Sequence, residues 1–442
     1  MFKKLAFFFG FVLVGFLMAP FSHLLAQQKL DRLNQERALQ MLKDAYDNVR
    51  KNYYDPKIRG LDWDSSYRQH QEKIRKAVTL GNAFSAVAGL LEALDDSHTF
   101  FNPPSRPMRM DYGFRMQIFG DKALIVRVRP GTDAASKVHP GDEVLQYNSY
   151  PVHRDDLWKM NYYFNRLSPK SASRLQLRDL NGTERDLTVE TKMRQEKRVM
   201  NLTGSDGGSD LWQMIREEEN ADHIVRNKYF ELGDVMIWKM PEFDLSDESV
   251  DNLFSFAKKH KSLILDLRGN PGGLVKTLER MVANVFDHDV KIADRIGRKE
   301  LKPQMAKSRG NKAFSGKIIV LVDSQSASAA ELFARVMQLE QRGTVIGDRT
   351  SGSVMEALYL GGSQGTDTMI FYGFSVTDAD LIMKDGKSLE HSGVVPDEIL
   401  LPAAKDIAEG KDPVLAHAAE LVGLKMDSTE AGKMFPFEWI PF

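Results

Sequence analysis

Four short runs in the second half of the chain decide what it can fold into. Val235 to Met240 (VMIWKM), Ser262 to Leu267 (SLILDL), Lys317 to Asp323 (KIIVLVD) and Thr344 to Asp348 (TVIGD) are almost wholly apolar. A strand with one face in water alternates polar and apolar residues; these runs do not, so both of their faces must be covered. Between them stand amphipathic stretches of helical spacing, Glu248 to Lys259, Val275 to Val285 and Ala330 to Gln341. Strands and helices alternating in this way predict an α/β fold, a sheet enclosed between helical layers.

The first half has a different texture. From Leu30 to Leu94 apolar residues recur at spacings of three and four, interrupted by Pro56 and Gly60, and Pro103-Pro104 closes a helical N-terminal region. Arg109 to Thr191 then alternates in short runs such as Ala123 to Arg129 and Glu143 to Asn148, with glycine turns between them, which predicts a small, mostly β domain. Asn201 to Gln213 is a polar, glycine-rich surface excursion. At 442 residues the chain exceeds one core of roughly 100 to 200 residues. The divisions expected are a leader at 1–26, a helical region at 27–104, the β domain at 105–195, the α/β domain at 196–425 and a tail at 426–442.

Composition removes several functions. A formal net charge of -1 gives no electrostatic support for a nucleic-acid partner. The absence of cysteine excludes disulfides, thiolate metal sites and a cysteine nucleophile. Met1-Phe2-Lys3-Lys4, the apolar stretch Leu5 to Ala19 and Leu24-Leu25-Ala26 have the layout of a cleaved export signal, so the chain is expected in the periplasm or outside the cell. The alternative is an uncleaved segment that leaves the protein peripherally attached to a membrane. The tail, FPFEWIPF, is expected to dock on the nearest domain; as an alternative, Phe442 and its carboxylate could enter a groove of the β domain and inhibit the protein.

The chemistry centres on Val322 to Phe333, VDSQSASAAELF, where a buried strand delivers three serines to the start of a helix. Free N–H groups and the dipole of that helix end favour developing negative charge, and the Ala329 N–H is one candidate donor. Ser328-Ala329-Ala330-Glu331 also fits a capping box, the commoner use of such residues. A second turn, Ile264 to Leu274 (ILDLRGNPGGL), frees backbone at Gly272 and Gly273 at the end of another strand, and either amide could complete an oxyanion hole. Asp266 and Arg268, which flank that turn, suit an ion pair.

Together, and in this order, these two turns resemble the carboxy-terminal-processing (tail-specific) and tricorn-core serine peptidases, as do TVIGDRTSG (Thr344 to Gly352) and GKSLEHSGVVPDEIL. The resemblance implies a crotonase/ClpP-like α/β core and identifies Ser328 as the nucleophile, with Ser324 and Ser326 structural. The lysine base of the processing branch is missing, for its segment here is Thr350-Ser351-Gly352-Ser353. The tricorn-like branch uses histidine, and Asp96-Ser97-His98-Thr99 matches its Asp-x-His-Thr pattern. His98 is then the base, oriented by Ser97 and Glu390, with His391 the neighbouring competitor; no metal or organic cofactor is implied. Tyr112 to Val152 resembles a PDZ domain, in which Tyr112-Gly113-Phe114-Arg115 is the loop that would receive a peptide's C-terminal carboxylate. The expected function is hydrolysis of exported or misfolded polypeptides. The alternatives are a non-catalytic peptide-binding scaffold and a ligand-binding or hydratase-like protein on the same core.

Overall fold

The computed structural model describes residues 29–106, 108–195, 223–224, 226–365 and 369–440. The leader at 1–26 and the excursion Asn201 to Gln213 lie outside the described residues. Among the described residues no helix is long and apolar enough to cross a membrane.

The four apolar runs are central strands of one six-stranded sheet. Its order is Lys228–Leu232, Val235–Lys239, Ser262–Asp266, Lys317–Val322, Thr344–Gly347 and Glu398–Ile399. All neighbours are parallel except the first hairpin. Both faces are covered, which accounts for the lack of alternation. On one face Trp238, Leu265, Val320 and Val345 pack with the helices Asp247–Ala257, Val275–Ala283 and Ala329–Leu339. On the other, Ile237, Ile264, Ile319 and Ile346 meet Val414, Leu415, Ala418 and Ala419 of the helix Pro413–Leu421.

A second sheet runs Phe100–Asn102, Ile370–Ile382, Val290–Gly297, Gln304–Ala306, with Met355–Gln364 also paired to Ile370–Ile382. The N-terminal helices Arg32–Asn52, Trp63–Arg75 and Leu80–Glu92 share a core with its Phe101, Tyr372, Phe374 and Val376. That packing matters for function, because Ser97 and His98 sit between the last of these helices and the strand Phe100–Asn102. Phe101 pairs with Phe374 across the ladder, so the loop before it is held against the α/β domain.

The small domain is antiparallel throughout, ordered Phe114–Phe119, Lys122–Val128, Glu143–Tyr147, Ala172–Arg178, Glu184–Glu190. A helical segment, Leu157–Asn161 continued by Tyr162–Leu167, closes its separate core of residues such as Phe114, Ile125, Tyr147 and Leu177. It is seated on the α/β domain through the end strand Phe114–Phe119. Gln117 Nε2 donates to Asp323 Oδ2 at 2.7 Å, Ser324 Oγ donates to the Ile118 carbonyl at 2.6 Å, and the Gly120 N–H donates to Asp348 Oδ2 at 2.9 Å.

Under the glycine turn Arg268 donates to Asp266 Oδ2 at 2.7 Å and to Asp412 Oδ2 at 2.7 Å, which ties the end of a central strand to the helix Pro413–Leu421. Burial alone would raise the Asp266 carboxyl, but the charges of Arg268 and Lys239 and hydrogen bonds from Arg268 outweigh it and hold the group well below the usual carboxylate range. Removing the arginine leaves the buried Asp266 with Lys239 alone and takes the cation from Asp412. Arg268→Ala is therefore expected to cost about 3 kcal/mol of stability in urea denaturation, whereas Lys261→Ala, from the exposed pair with Asp234, is expected to leave the denaturation midpoint nearly unchanged.

Candidate active site

Ser328 ends the loop between the strand Lys317–Val322 and the helix Ala329–Leu339, and its backbone is unusual, with φ 53° and ψ -117°. A non-glycine residue is rarely held at positive φ, and such strain persists only where the surroundings fix it. Ser328 and Glu331 stand in the relation of a capping box, yet the Ser328 hydroxyl makes no capping hydrogen bond to the helix. The other half of the box is made: the Ser328 N–H donates to Glu331 Oε2 at 3.1 Å. The hydroxyl is thus left for other chemistry, and the residue is partly exposed. Ser326 is fully buried, with its Oγ donating to the Leu267 carbonyl at 2.8 Å, and Ser324 is spent on the small domain.

Glu331 does more than cap. Its Oε2 also accepts from the Ser353 N–H at 2.9 Å, and its Oε1 accepts from the Gly352 N–H at 2.8 Å and from the Thr350 hydroxyl. Burial pushes this carboxyl up to about 7 against the hydrogen bonds that pull it down. One fully buried carboxylate therefore clamps the Thr350 to Ser353 loop onto the serine turn.

The segment in which the processing peptidases carry lysine contributes main chain instead. The Ser353 carbonyl accepts the Ser328 N–H at 2.9 Å, and the next N–H, of Val354, donates to Glu390 Oε2 at 2.8 Å. Glu390 also accepts from the Ser97 N–H at 2.7 Å and the Ser97 hydroxyl at 2.8 Å, and Ser97 Oγ lies 2.7 Å from His98 Nδ1. Because the Ser97 proton is given to Glu390, the serine oxygen accepts from Nδ1–H. The proton is then fixed on Nδ1, and Nε2 keeps its lone pair, the tautomer a base requires. No hydrogen bond joins His98 to Ser328; the two are linked through Ser97, Glu390, Val354 and Ser353.

Asp96 fixes the loop from below, accepting at Oδ1 from the His98 N–H (3.0 Å), the Thr99 N–H (2.7 Å) and the Thr377 hydroxyl (2.7 Å). Burial lowers the His98 pKa to about 4, with the charge of Asp96 pulling the other way. Burial raises that of Glu390, opposed by hydrogen bonds from Val354 and Ser97. His391 turns aside, with Nε2 3.0 Å from the Asp95 carbonyl, and Lys384 is paired at the surface with Glu340 at 2.9 Å.

The glycine turn closes the site. A Cβ on Gly272 would stand 2.6 Å from Ser328 Cβ and 2.9 Å from the Ala329 nitrogen, so only glycine fits there. Its N–H donates to Asn270 Oδ1 at 2.8 Å, which commits that amide. Gly273, at φ 142°, is pressed against Phe243. In the small domain Gly113, at φ 75°, gives its N–H to Asp111 Oδ1 at 2.7 Å, Tyr112 donates its hydroxyl to the Phe164 carbonyl at 3.0 Å, Phe114 faces the core and Arg115 the outer surface. No group of His, Asp and Glu arranged to hold a metal occurs among the described residues.

Residues 234–400 match the family model of Peptidase family S41, and residues 34–82 that of the Tricorn protease C1 domain. Residues 234–400 thus carry a domain of the S41 peptidase type. It is 25% identical over 315 residues to the tail-specific protease of Haemophilus influenzae, a match spanning 68% of this chain and 42% of that protein, so less than half of the relative's length is represented. It is 23% identical over 409 residues to a probable CtpA-like serine protease of Staphylococcus epidermidis, covering 88% and 71% of the two. Among solved structures, mature CPAF superposes with a TM-score of 0.60 at 17% identity, over 85% of this chain and 94% of that one. The photosystem II D1 C-terminal processing protease gives 0.51 at 17%, over 89% and 98%. These likenesses establish the S41 fold.

Four of the positions in this site were invisible as chemistry in the sequence. Ser353 and Val354 act through main-chain atoms, and the side chains of Asn270 and Thr350 each make two hydrogen bonds whose partners no sequence spacing encodes. Replacing Glu331 by glutamine sets an amide nitrogen against N–H donors. Glu331→Gln is therefore expected to lower stability by about 2 kcal/mol and to slow covalent labelling of Ser328 by at least about tenfold, read by denaturation and by fluorophosphonate kinetics.

Proposed function

We propose that this S41 chain is an exported serine endopeptidase that uses Ser328 as nucleophile and His98 as base. The supporting observation is the continuous set of hydrogen bonds from His98 through Ser97 and Glu390 to the Ser353–Val354 peptide group, whose carbonyl holds the Ser328 N–H. It gives the imidazole its tautomer and brings its loop to the serine turn without a lysine. Ser328 Oγ attacks the scissile carbonyl as its proton passes to His98 Nε2; the C–N bond breaks as that proton moves to the leaving amine. Water, activated in turn by His98, then releases the acyl group and restores the serine. The ionised Glu390, one hydroxyl away, stabilises the imidazolium formed in between. With Gly272 committed to Asn270, the amides of Gly273 and Ala329 are the pair assigned to the oxyanion. The chemistry calls on no metal or organic cofactor, and the partners are polypeptides.

The core belongs to the crotonase/ClpP-like class on this reading, and the small domain is a PDZ domain inserted before it. Among the described residues no strand pairs with the outer edge of its end strand Phe114–Phe119, whose Ile118 carbonyl is held by Ser324; the part of that edge beside the Tyr112 to Arg115 loop is the element an extended peptide would add to. Substrate C-termini are captured there and passed to Ser328.

Two outcomes are expected. A fluorophosphonate labels the wild-type chain, does not label Ser328→Ala, and labels His98→Ala at least about a hundredfold more slowly; a folded wild-type chain that takes no label identifies a peptide-binding scaffold instead. The second concerns pH. A base must be neutral, and burial lowers the His98 pKa to about 4, so kcat/KM should hold as pH falls through 6.5, the ordinary histidine value, and be lost only near 4. Because the Glu331 clamp is itself pushed up to about 7, the profile is also read in Glu331→Gln; an acid limb near 6.5 that persists there overturns the reading of His98 as a base held low by burial.

A further inference from the structure

Residues 435–440 lie in a cradle built from two domains. After the helix Ser428–Met434, residues 435–440 run extended beside His223 and Ile224: the Ile224 N–H donates to the Glu438 carbonyl at 2.7 Å, and His223 bridges antiparallel to Trp439. The aromatic residues at 437 and 439 face the outer surface of the small domain. Phe437 stacks on His223 at 4.8 Å between ring centres, with the guanidinium groups of Arg115 and Arg127 5.7 and 5.6 Å from its ring. Trp439 lies under Arg129 at 4.3 Å, and Arg129 Nη1 donates to the Ile440 carbonyl at 2.6 Å. The Glu438 side chain points the other way, to Arg226 and Lys228, each at 3.3 Å. Arg129 is also ion-paired with Asp111 at 2.6 Å, the residue that holds the Gly113 N–H.

This is how a site binds an extended peptide. Alternate side chains enter on one face, the short segment His223-Ile224 meets the backbone, and cations meet the aromatic faces. Phe435, Phe437, Glu438, Trp439 and Ile440 are all partly exposed, so the segment lies along the surface of its cradle and not inside a core.

We propose that this cradle is an exchangeable peptide-binding site, with the chain's own residues 435–440 as its resident ligand. In their place it takes an extended polypeptide segment with aromatic residues at alternating positions and an acidic residue between them. The inference deepens the reading of this protein as one that acts on polypeptides, and adds a docking surface outside the end-strand edge and outside the site around Ser328. The resident tail, being tethered, competes at high effective concentration, so the site is visible to an added peptide only when the tail is weakened.

The test uses the full chain carrying Ser328→Ala, so that binding is read without turnover and a failure of the peptidase assignment leaves the result interpretable. The probe is a fluorescent synthetic peptide with the sequence of Met434 to Phe442. In the Phe437→Ala/Trp439→Ala chain its affinity is expected to rise at least about tenfold over the intact tail, and adding Arg115→Ala should cancel the gain. Glu438→Lys, a surface change that repels Arg226 and Lys228 while sparing the cradle, should produce a rise of the same sign, so the idea stays testable if the double variant folds poorly. Equal affinity with intact and weakened tails overturns it. So does equal binding of a control peptide in which both aromatic residues are alanine.

Discussion

The active-site region depends on one buried carboxylate. Glu331 holds the N-terminus of its own helix, the peptide groups of Gly352 and Ser353 and the hydroxyl of Thr350 in a single fixed relation. A carboxylate is suited to this because it only accepts, and every partner it has only needs to donate. With that clamp in place Ser328 is kept at a backbone angle it would otherwise leave, and the Ser353 carbonyl is presented to its N–H. Without it, two loops carrying the remaining contacts would be free to part.

The histidine side is built by a different device. Asp96 caps the turn that follows the N-terminal helices, the strand Phe100–Asn102 pins that turn to the second sheet, and Glu390 reaches across from the far end of the chain to take up Ser97. The residues brought together are separated by almost the whole length of the α/β domain and by the inserted small domain. The joint between the halves is one peptide step, from Ser353 to Val354. The small domain bears on the same region, since Asp323 receives Gln117 from that domain and the Gly269 N–H from the glycine turn at 2.8 Å.

Much of this was legible in the sequence. The unbroken apolar runs implied a sheet covered twice, and it is covered by two separate layers. The turn at Gly272 and Gly273 implied close approach of backbone, and Gly272 is found against Ser328. The serine, histidine and glutamate candidates lie in one network because each carries its chemistry in its side chain. What was not legible was assigned to atoms common to every residue. The choice between the two glycine amides, for instance, depends on where the Asn270 side chain turns, which no spacing encodes. The capping-box pattern was equally ambiguous: the same four letters describe a helix start and a serine whose hydroxyl is left out of the cap. The tail was expected to pack on its nearest domain, and it meets two, with the cradle's components coming from segments far apart in the chain.

The use of main chain at Ser353 has a consequence for how catalytic designs of this kind can diverge. The carbonyl of that residue and the N–H of the next are the same whichever side chain stands at the position. The loop can thus keep its architectural duty while the side chain gains or sheds an amine. A proton acceptor can be supplied from another domain without the strand, the helix or the glycine turn being rebuilt. Identity at this one position accordingly says nothing about whether the scaffold around Ser328 is intact.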